Sequence, residues 1–187
     1  QTLMFSRRGI EKSQALPELG EIARQFRAQS CIVDNEVVAV DEKGDYLPFK
    51  KLLERTVPQG LAPEELMKRQ EKVGVTVRAF DILFLNGNEL TGLPLVERRK
   101  YLVEGVPPEY LAEGKYCNNN VELMRFYEEA LKAGLEGIIV KSLTSSYSVG
   151  ERTYTWLKLK PERDTIDCTI VKALFGKGRR AGLYSSF

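Results

Sequence analysis

The chain has 187 residues, with 28 lysines and arginines against 26 aspartates and glutamates, and it contains no histidine. A net charge of +2 does not by itself indicate a nucleic-acid partner, and the lack of histidine excludes serine–histidine triads and histidine metal ligands. Three widely spaced cysteines, no apolar run of membrane-spanning length and no signal-peptide pattern predict a reducing, intracellular setting without a membrane anchor.

The first predicted elements are a strand over residues 1–5, an arginine-bearing turn and a helix over residues 17–30. The turn, Ser6-Arg7-Arg8-Gly9, stands at a strand end, where a guanidinium can bind phosphate. A solvated turn is the plain alternative. The helix carries an apolar stripe that we assign to the core, formed by Leu19, Ile22, Ala23 and Phe26.

Residues 31–41 predict a strand that is apolar except at its centre, where Asp34, Asn35 and Glu36 stand together. Acidic side chains inside a buried strand cost free energy unless something binds them. A sugar hydroxyl is one candidate partner. An exposed bulge, or satisfaction by internal hydrogen bonds, is the alternative.

A second long strand is predicted over residues 73–85 and ends at the turn signal Asn86-Gly87. Strict alternation places Asp81 on one face with Val75, Val77 and Ala79, and Ile82 on the other face with Phe80. Phe80 is either a platform on which a base stacks or a plain core residue.

Further elements are predicted from apolar stripes and from boundary residues. Residues 50–55 and Pro63–Lys72, around a Pro58-Gln59-Gly60 loop, are predicted helices with charge on most faces and no assigned chemistry. The helix over residues 94–104 carries Arg98-Arg99 as a solvated or salt-bridged pair, and residues 114–118 predict a short strand. Asn120 is the predicted cap of a helix over residues 121–133, which Gly134 ends.

Two short strands follow, Glu136-Gly137-Ile138-Ile139-Val140-Lys141 and Trp156-Leu157-Lys158-Leu159-Lys160. Lys158 and Lys160 share one face at roughly 6.6 Å, a spacing that suits neighbouring oxygens of a polyphosphate, and Glu136 suits a divalent metal. By strict alternation Lys141 points away from Glu136 and is left out of the site. An edge strand with solvated lysines is the alternative.

After a hinge at Pro161, residues 165–171 predict a strand, and residues 176–182 form a glycine-rich basic loop before a last strand. Such a loop can contact a nucleic-acid backbone through Lys177, Arg179 and Arg180. The strand-like sequence at both ends of the chain predicts a piece of a longer protein.

Taken in order, these motifs resemble the ATP-dependent DNA ligases of the archaeal and eukaryotic type from about Phe5 to the last residue. The most specific parts are Glu-Gly-Ile-Ile-Val-Lys from Glu136 and Trp-Leu-Lys-Leu-Lys from Trp156. The resemblance implies an α+β fold, with antiparallel sheets and flanking helices in an ATP-grasp-like nucleotidyltransferase domain over residues 1–162. The first strands of an OB-fold barrel would follow over residues 163–187.

The resemblance also implies roles for single residues. Arg7 would contact a phosphate of the nucleotide or of the DNA, Glu36 the ribose hydroxyls, and Phe80 the adenine. Glu136 would bind the catalytic Mg²⁺, while Lys158 and Lys160 would clamp the α-phosphate as cofactor-binding and catalytic residues. The partner would be nicked double-stranded DNA, bound by a monomer through lysyl-AMP and DNA-adenylate intermediates, in repair, replication or recombination.

One departure from the family is the nucleophile. The family's Lys-x-Asp-Gly stretch is absent from these 187 residues, and Lys43-Gly44-Asp45 has the wrong order. We therefore expect that this polypeptide alone forms no covalent AMP adduct. Open alternatives are an RNA ligase or an mRNA-capping nucleotidyltransferase, a non-catalytic nucleic-acid-binding module, and an inactive structural fragment. The expected location is the cytoplasm in a prokaryote and the nucleus in a eukaryote.

Overall fold

The computed structural model describes residues 1–56, 62–151, 153–162 and 169–186. It has the mixed architecture that the sequence predicts, in which helices accompany small antiparallel sheets. The helices are α1 (Glu18–Arg24), α2 (Phe49–Thr56), α3 (Pro63–Lys72), α4 (Leu95–Gly105) and α5 (Asn120–Lys132). The strands are β1 (Cys31–Val40), β2 (Gly74–Leu85), β3 (Asn88–Glu89), β4 (Ile138–Lys141), β5 (Trp156–Leu159), β6 (Leu174–Phe175) and β7 (Tyr184–Ser186).

The described strands pair antiparallel as β1-β2-β3, β4-β5 and β6-β7. Within the β1–β2 ladder the register shifts twice, between Ile32 and Val33 and between Asp34 and Asn35. At the second shift Asp34 lies opposite Asp81, but Asn35 lies opposite Ala79. Phe80 therefore has no partner residue in β1, which is the pattern of a β-bulge. The bulge lies in the middle of the longest described strand and decides which way the following side chains point.

The strict alternation predicted for β2 is wrong beyond this bulge. Asp81 lies opposite Asp34 and is therefore on the face of Arg78, not on the face of Val75 and Val77 as predicted, although it is only 1% exposed. Its neighbour Ile82 lies opposite Val33, on the face of Val77, and is 0% exposed. The unpaired residue changes the facing of the strand, so Ile82 enters the core instead of lying with Phe84 on the opposite face.

Two hydrophobic clusters pack against this sheet. The first gathers residues of α1, α2 and the strands, namely Leu16, Leu19, Ala39, Leu52, Val73, Val75 and Val77. The second lies where α4 packs on β2 and is formed by Ala79, Ile82, Leu90, Leu102 and Val106. Phe26 and Tyr110 contact both clusters, with ring centroids 6.3 Å apart, so the two clusters join into one core.

A buried cation fixes α2 in this core. Arg55 is 1% exposed, pairs with Glu18 of α1 and donates hydrogen bonds to the carbonyls of Val73 (2.9 Å) and Ala15 (3.1 Å). Its guanidinium thus ties α2 to α1 and to the start of β2, and its charge is structural.

Several helix ends in the structure differ from the predicted ones. The first helix ends at Arg24 because Gln25 and Phe26 turn back to bond the carbonyls of Ile22 and Ala23. Asn119, and not Asn120, caps α5: its Oδ1 accepts from the backbone N–H of Glu122 at 3.0 Å. Gly134 follows α5 at a φ of 78°, as predicted for a helix end.

Two predicted short strands are wrong. Residues 1–5 contribute only a single bridge, from Phe5 to Glu11, and residues 114–118 form no strand, because neither segment forms a ladder with a described strand. The Pro58-Gln59-Gly60 loop and residues 165–168 of the predicted tail strand lie outside the described residues, as does the start of the proposed second domain. Residues 169–171, the described part of that predicted strand, form no strand. No described helix has the length and apolar character that a membrane crossing requires.

Candidate functional site

The lysine pair, Lys158 and Lys160, lies at the end of the β4–β5 hairpin. Both ammonium groups reach the same oxygen of Glu136: Oε2 is 2.8 Å from Lys160 Nζ and 3.4 Å from Lys158 Nζ. The two lysines therefore lie on one side of β5. Glu136 keeps 73% of its side chain exposed, so these ion pairs remain in water and can be exchanged for other partners.

The Lys160 ammonium and then the Lys158 ammonium hold the pKa of Glu136 below its usual value, through hydrogen bonds and charge. A glycine at position 137 makes this approach possible. Gly137 has a φ of 133°, and a Cβ there would lie 2.1 Å from the carbonyl oxygen of Leu159. The chain between Glu136 and β4 thus passes against β5 more closely than any side chain allows.

Glu36 on β1 joins this group through electrostatics. Partial burial raises its pKa, the charge of Lys158 lowers it, and the charges of Asp34 and Glu136 raise it further. Glu36 is therefore near enough to Lys158 and Glu136 for each to act on its protonation. We call Glu36, Glu136, Lys158 and Lys160 the charged cluster.

An aromatic cluster, formed by Phe80, Trp156 and Tyr147, adjoins the charged cluster through β5. The rings of Phe80 and Trp156 meet edge to face at 6.0 Å and 77°, and those of Tyr147 and Trp156 at 5.8 Å and 84°. Trp156 precedes Lys158 by two residues, so both point to the same side of the strand. Phe80 is half-buried and is not sealed in the core.

Lys141 belongs to this assembly, contrary to the sequence-based expectation. Its Nζ lies 3.7 Å from the centroid of Trp156 and 4.5 Å from that of Phe80, and it donates to the Phe80 carbonyl at 3.3 Å. Burial lowers the pKa of Lys141 to about 8, an effect that the charges of Asp81 and Asp34 partly offset.

Alternation misplaced Lys141 because β4 begins only at Ile138, and the backbone turn at Gly137 separates it from Glu136. In the observed register Lys141 lies directly opposite Trp156. Directly opposite residues of an antiparallel pair share a face, so pairing the two predicted strands with each other would have found this contact.

Behind the aromatic cluster lies a buried pair that sequence reasoning left open. Arg98, treated as solvated or salt-bridged, is fully buried and donates to both carboxylate oxygens of Asp81, at 2.8 and 2.9 Å. It also donates to the Ser145 carbonyl at 3.0 Å and lies over the Tyr147 ring at 5.7 Å. Arg98 thus fastens the loop between β4 and β5 to α4 and β2.

The two carboxylates of β1 have different partners. The Tyr147 hydroxyl donates to Asp34 at 2.6 Å, which realises the internal hydrogen bond that the sequence allowed. Burial first, and then the hydrogen bond and charge of Asp34, raise the pKa of Tyr147. Among the described residues, the Glu36 carboxylate accepts no hydrogen bond, which leaves it available to a ligand.

The remaining predicted site residues lie elsewhere. Arg7 is exposed in its turn, and no contact among the described residues joins it to the charged cluster. Lys177 and Arg180 are exposed beside the β6–β7 hairpin, whereas the side chain of Arg179 lies outside what the structure describes. The fold thus brings together the charged cluster and Phe80, and it leaves the arginine turn and the basic loop separate.

The chain is similar in sequence to known proteins over almost its whole length. The family model described as ATP dependent DNA ligase domain matches residues 1–160. A DNA ligase of Methanothrix thermoacetophila is 37% identical over 186 residues, which cover 98% of this chain and 33% of that protein. DNA ligase 2 of Methanosarcina mazei is 40% identical over 195 residues, covering 98% of this chain and 33% of that protein. These names do not favour an RNA ligase or a capping enzyme.

Solved structures agree on the fold. The ligase domain of LigD from M. tuberculosis matches with a TM-score of 0.56 and 25% identity, over 84% of this chain and 47% of that chain. A mycobacterial DNA ligase D complexed with ATP and MES matches with a TM-score of 0.57 and 23% identity, with the same shares covered. The chain spans about a third of the length of the curated relatives it matches.

Proposed function

Since this chain belongs to the ATP-dependent DNA ligase domain family, we propose that it supplies most of the nucleotide pocket of an ATP-dependent DNA ligase. The observation that carries the proposal is the charged cluster, in which Lys158 and Lys160 meet one oxygen of Glu136 while Glu36 lies within electrostatic reach. Carboxylates and ammonium groups from separate strands converge there beside half-buried aromatic rings.

The exposure of these ion pairs supports a phosphate site. A solvent-exposed ion pair contributes less than about 1 kcal/mol, so a polyphosphate can take over both ammonium groups from Glu136 at small cost. Lys158 and Lys160 then stabilise charge that develops on the α-phosphate when the adenylate is transferred. Neither lysine needs a change of fold to exchange one anion for the other.

The released Glu136 carboxylate fits Mg²⁺. This ion is usually held by one or two carboxylates together with phosphate oxygens, and Glu136 offers an exposed carboxylate beside the lysine pair. When bound, Mg²⁺ would offset negative charge on the phosphates.

The adenosine half of the ligand is assigned to β1 and β2. Glu36 has a carboxylate without a hydrogen-bond donor among the described residues, which suits the two ribose hydroxyls. The Phe80 ring is half-buried beside Trp156 and suits adenine stacking. Both residues project from neighbouring strands of one sheet, so a single nucleoside can reach both.

We extend the proposal to the parts that the described residues leave open. Residues 1–162 form an ATP-grasp-like adenylation domain, and residues 163–187 begin an OB-fold domain that binds nicked duplex DNA through Lys177, Arg179 and Arg180. Arg7 contacts a phosphate of the nucleotide or the DNA, and the protein acts as a monomer. The β6–β7 hairpin with its exposed lysine and arginine supports the DNA contact.

Calorimetric titration of the 187-residue chain with ATP tests the nucleotide proposal. We expect ATP to bind more tightly than GTP and than 2′,3′-dideoxy-ATP, and Glu36→Gln to lose most of the preference over the dideoxy nucleotide. Losing charge-assisted hydrogen bonds corresponds to roughly a 10-fold change. Glu128→Gln, an exposed change on α5, is the matched control.

Radiolabelled ATP tests the absence of a nucleophile in the same preparation. We expect reversible binding without a stable adduct, because the sequence has no Lys-x-Asp-Gly stretch. An unsubstituted chain that does not bind ATP contradicts the proposed function, and a robust covalent adduct contradicts the expectation of incompetence.

A further inference from the structure

Lys141 is a cation held among aromatic rings. Its ammonium lies 3.7 Å from the Trp156 centroid and 4.5 Å from the Phe80 centroid, both within the range of cation–π attraction. These contacts connect β4 and β5 to the β1–β2 sheet at a point where the two sheets share no backbone pairing.

The bulge in β2 supplies a second contact. Phe80 has no partner residue in β1, and Lys141 Nζ donates to its carbonyl oxygen at 3.3 Å. Lys141 therefore holds both the ring and the backbone of the same residue. An unpaired bulge residue is free to shift, and a lysine bonded to its carbonyl restricts that shift.

From this geometry we infer that Lys141 is a positioning residue, which locks Phe80 and Trp156 into one rigid platform for the adenine base. The inference rests on the proposed function and adds a determinant of base affinity outside the charged cluster. Lys141 acts through Phe80, whereas Lys158 and Lys160 act on the phosphates, so the two contributions can be measured separately with different parts of the nucleotide.

The charge of Lys141 depends on the groups packed around it. Asp34 of β1 and Asp81 of β2 favour the charged form, and Arg98 and Arg99 of α4 disfavour it. From the loop between β4 and β5, Tyr147 contacts Asp34 and lies under Arg98. Because burial brings the pKa of Lys141 to about 8, the contact with the rings is present near neutral pH and weakens above pH 8.

The test compares Lys141→Met, which removes the charge, with Lys141→Arg, which keeps it at all accessible pH values. Lys132→Met, at the exposed end of α5, is the matched control. The affinities for ATP, adenosine and inorganic tripolyphosphate are measured at pH 7.5 and pH 9. Tryptophan fluorescence is followed over the same pH range, since Trp156 is the only tryptophan in the chain.

We expect Lys141→Met to weaken adenosine and ATP binding by about 3- to 30-fold, the size of a desolvated cation–π contact, and to leave tripolyphosphate binding unchanged. The unsubstituted chain and the control should lose adenosine affinity between pH 7.5 and pH 9, with a fluorescence transition near pH 8. Lys141→Arg should show neither pH effect.

Equal adenosine affinity for Lys141→Met and the unsubstituted chain would overturn the inference while leaving the proposed function intact. Parallel losses for adenosine and tripolyphosphate would also overturn it, because they indicate a general structural defect. If Lys141→Met fails to fold, the pH series on the unsubstituted chain decides by itself. A chain that binds no ATP contradicts the proposed function, and the inference falls with it.

Discussion

Arg98–Asp81 and the Glu136–lysine pairs are built from the same kinds of groups, yet they differ in the solvent that each retains. Both side chains of the first pair are 0% exposed, whereas Glu136 is 73% exposed and Lys158 51% exposed. A buried pair cannot be opened without leaving a charge in the protein interior, but an exposed pair returns to water. The buried pair therefore holds the structure, whereas the exposed pairs can exchange partners at small cost.

The largest expected effect is that of breaking the buried Arg98–Asp81 ion pair. Arg98→Met should cost about 3–5 kcal/mol of unfolding free energy, because it leaves the Asp81 carboxylate buried without its partner. Urea denaturation measures this, with Arg125→Met on the exposed face of α5 as control. The double variant Arg98→Met/Asp81→Leu should regain much of the loss. A cost below about 1 kcal/mol would show that the pair does not hold the structure.

The next effect concerns the exposed side. Lys158→Ala/Lys160→Ala should reduce ATP affinity by about 10- to 100-fold, the value of charge-assisted hydrogen bonds. The same variant should change the unfolding free energy by less than about 1 kcal/mol. Lys100→Ala/Lys132→Ala makes the same change in net charge at exposed sites and controls for it. Unchanged ATP affinity would contradict the proposal that Lys158 and Lys160 bind the phosphates of ATP.

Lys141 is the intermediate case, a half-buried cation that forms no ion pair with a carboxylate in the part of the chain that the structure describes. Its pKa falls from 10.5 to about 8 on folding, so between those values the unfolded chain binds more protons than the folded one. Stability of the unsubstituted chain should therefore rise from pH 8 towards pH 10.5. We expect Lys141→Met to be more stable, on the order of 1 kcal/mol at pH 7. Denaturation at pH 7 and pH 10 measures whether this gain shrinks with pH.

The smallest expected effect is that of the Glu136 ion pairs on stability. The lysines lower the pKa of Glu136 below 4.5, so their stabilisation is complete above pH 4.5 and is lost as pH falls through the lower folded-state value. Glu136→Gln should remove this acid-range dependence. Denaturation in low salt and in about 1 M salt checks the assignment, because high salt should screen the difference away. A salt-independent loss would mean that Glu136 is more enclosed than its exposure indicates.

The sequence correctly predicted those features that depend only on residues close together in the chain. The common side of Lys158 and Lys160 follows from period-two alternation, and Gly134 ended its helix because only glycine takes a positive φ cheaply. The strands predicted at residues 1–5 and 114–118 did not form because strand composition needs a pairing partner, and neither segment forms a ladder with a described strand.

Charged residues of the site could be identified from the sequence, but their contacts could not, because tertiary packing determines which side chains meet. Asp81 was visible in the sequence as one acid on a predicted apolar face, but nothing local indicated that Arg98 would be its buried partner. Lys141 was missed because the direction of its side chain depends on the Gly137 turn and on pairing with Trp156. Both misses concern contacts between segments far apart in the chain.

The extra residue at Phe80 separates the facing of residues 74–79 of β2 from that of Asp81 and Ile82, and a second register shift follows at Leu83. A single-residue deletion at Phe80 would remove this register shift, but it would also reverse the facing of the residues on one side of it relative to those on the other. Either Ile82 or Val77 would then point away from the core, and one of the two hydrophobic clusters would lose the side chain that β2 contributes to it. For folding, length is therefore more constrained than composition at this position, and the fold should tolerate substitutions there far better than insertions or deletions.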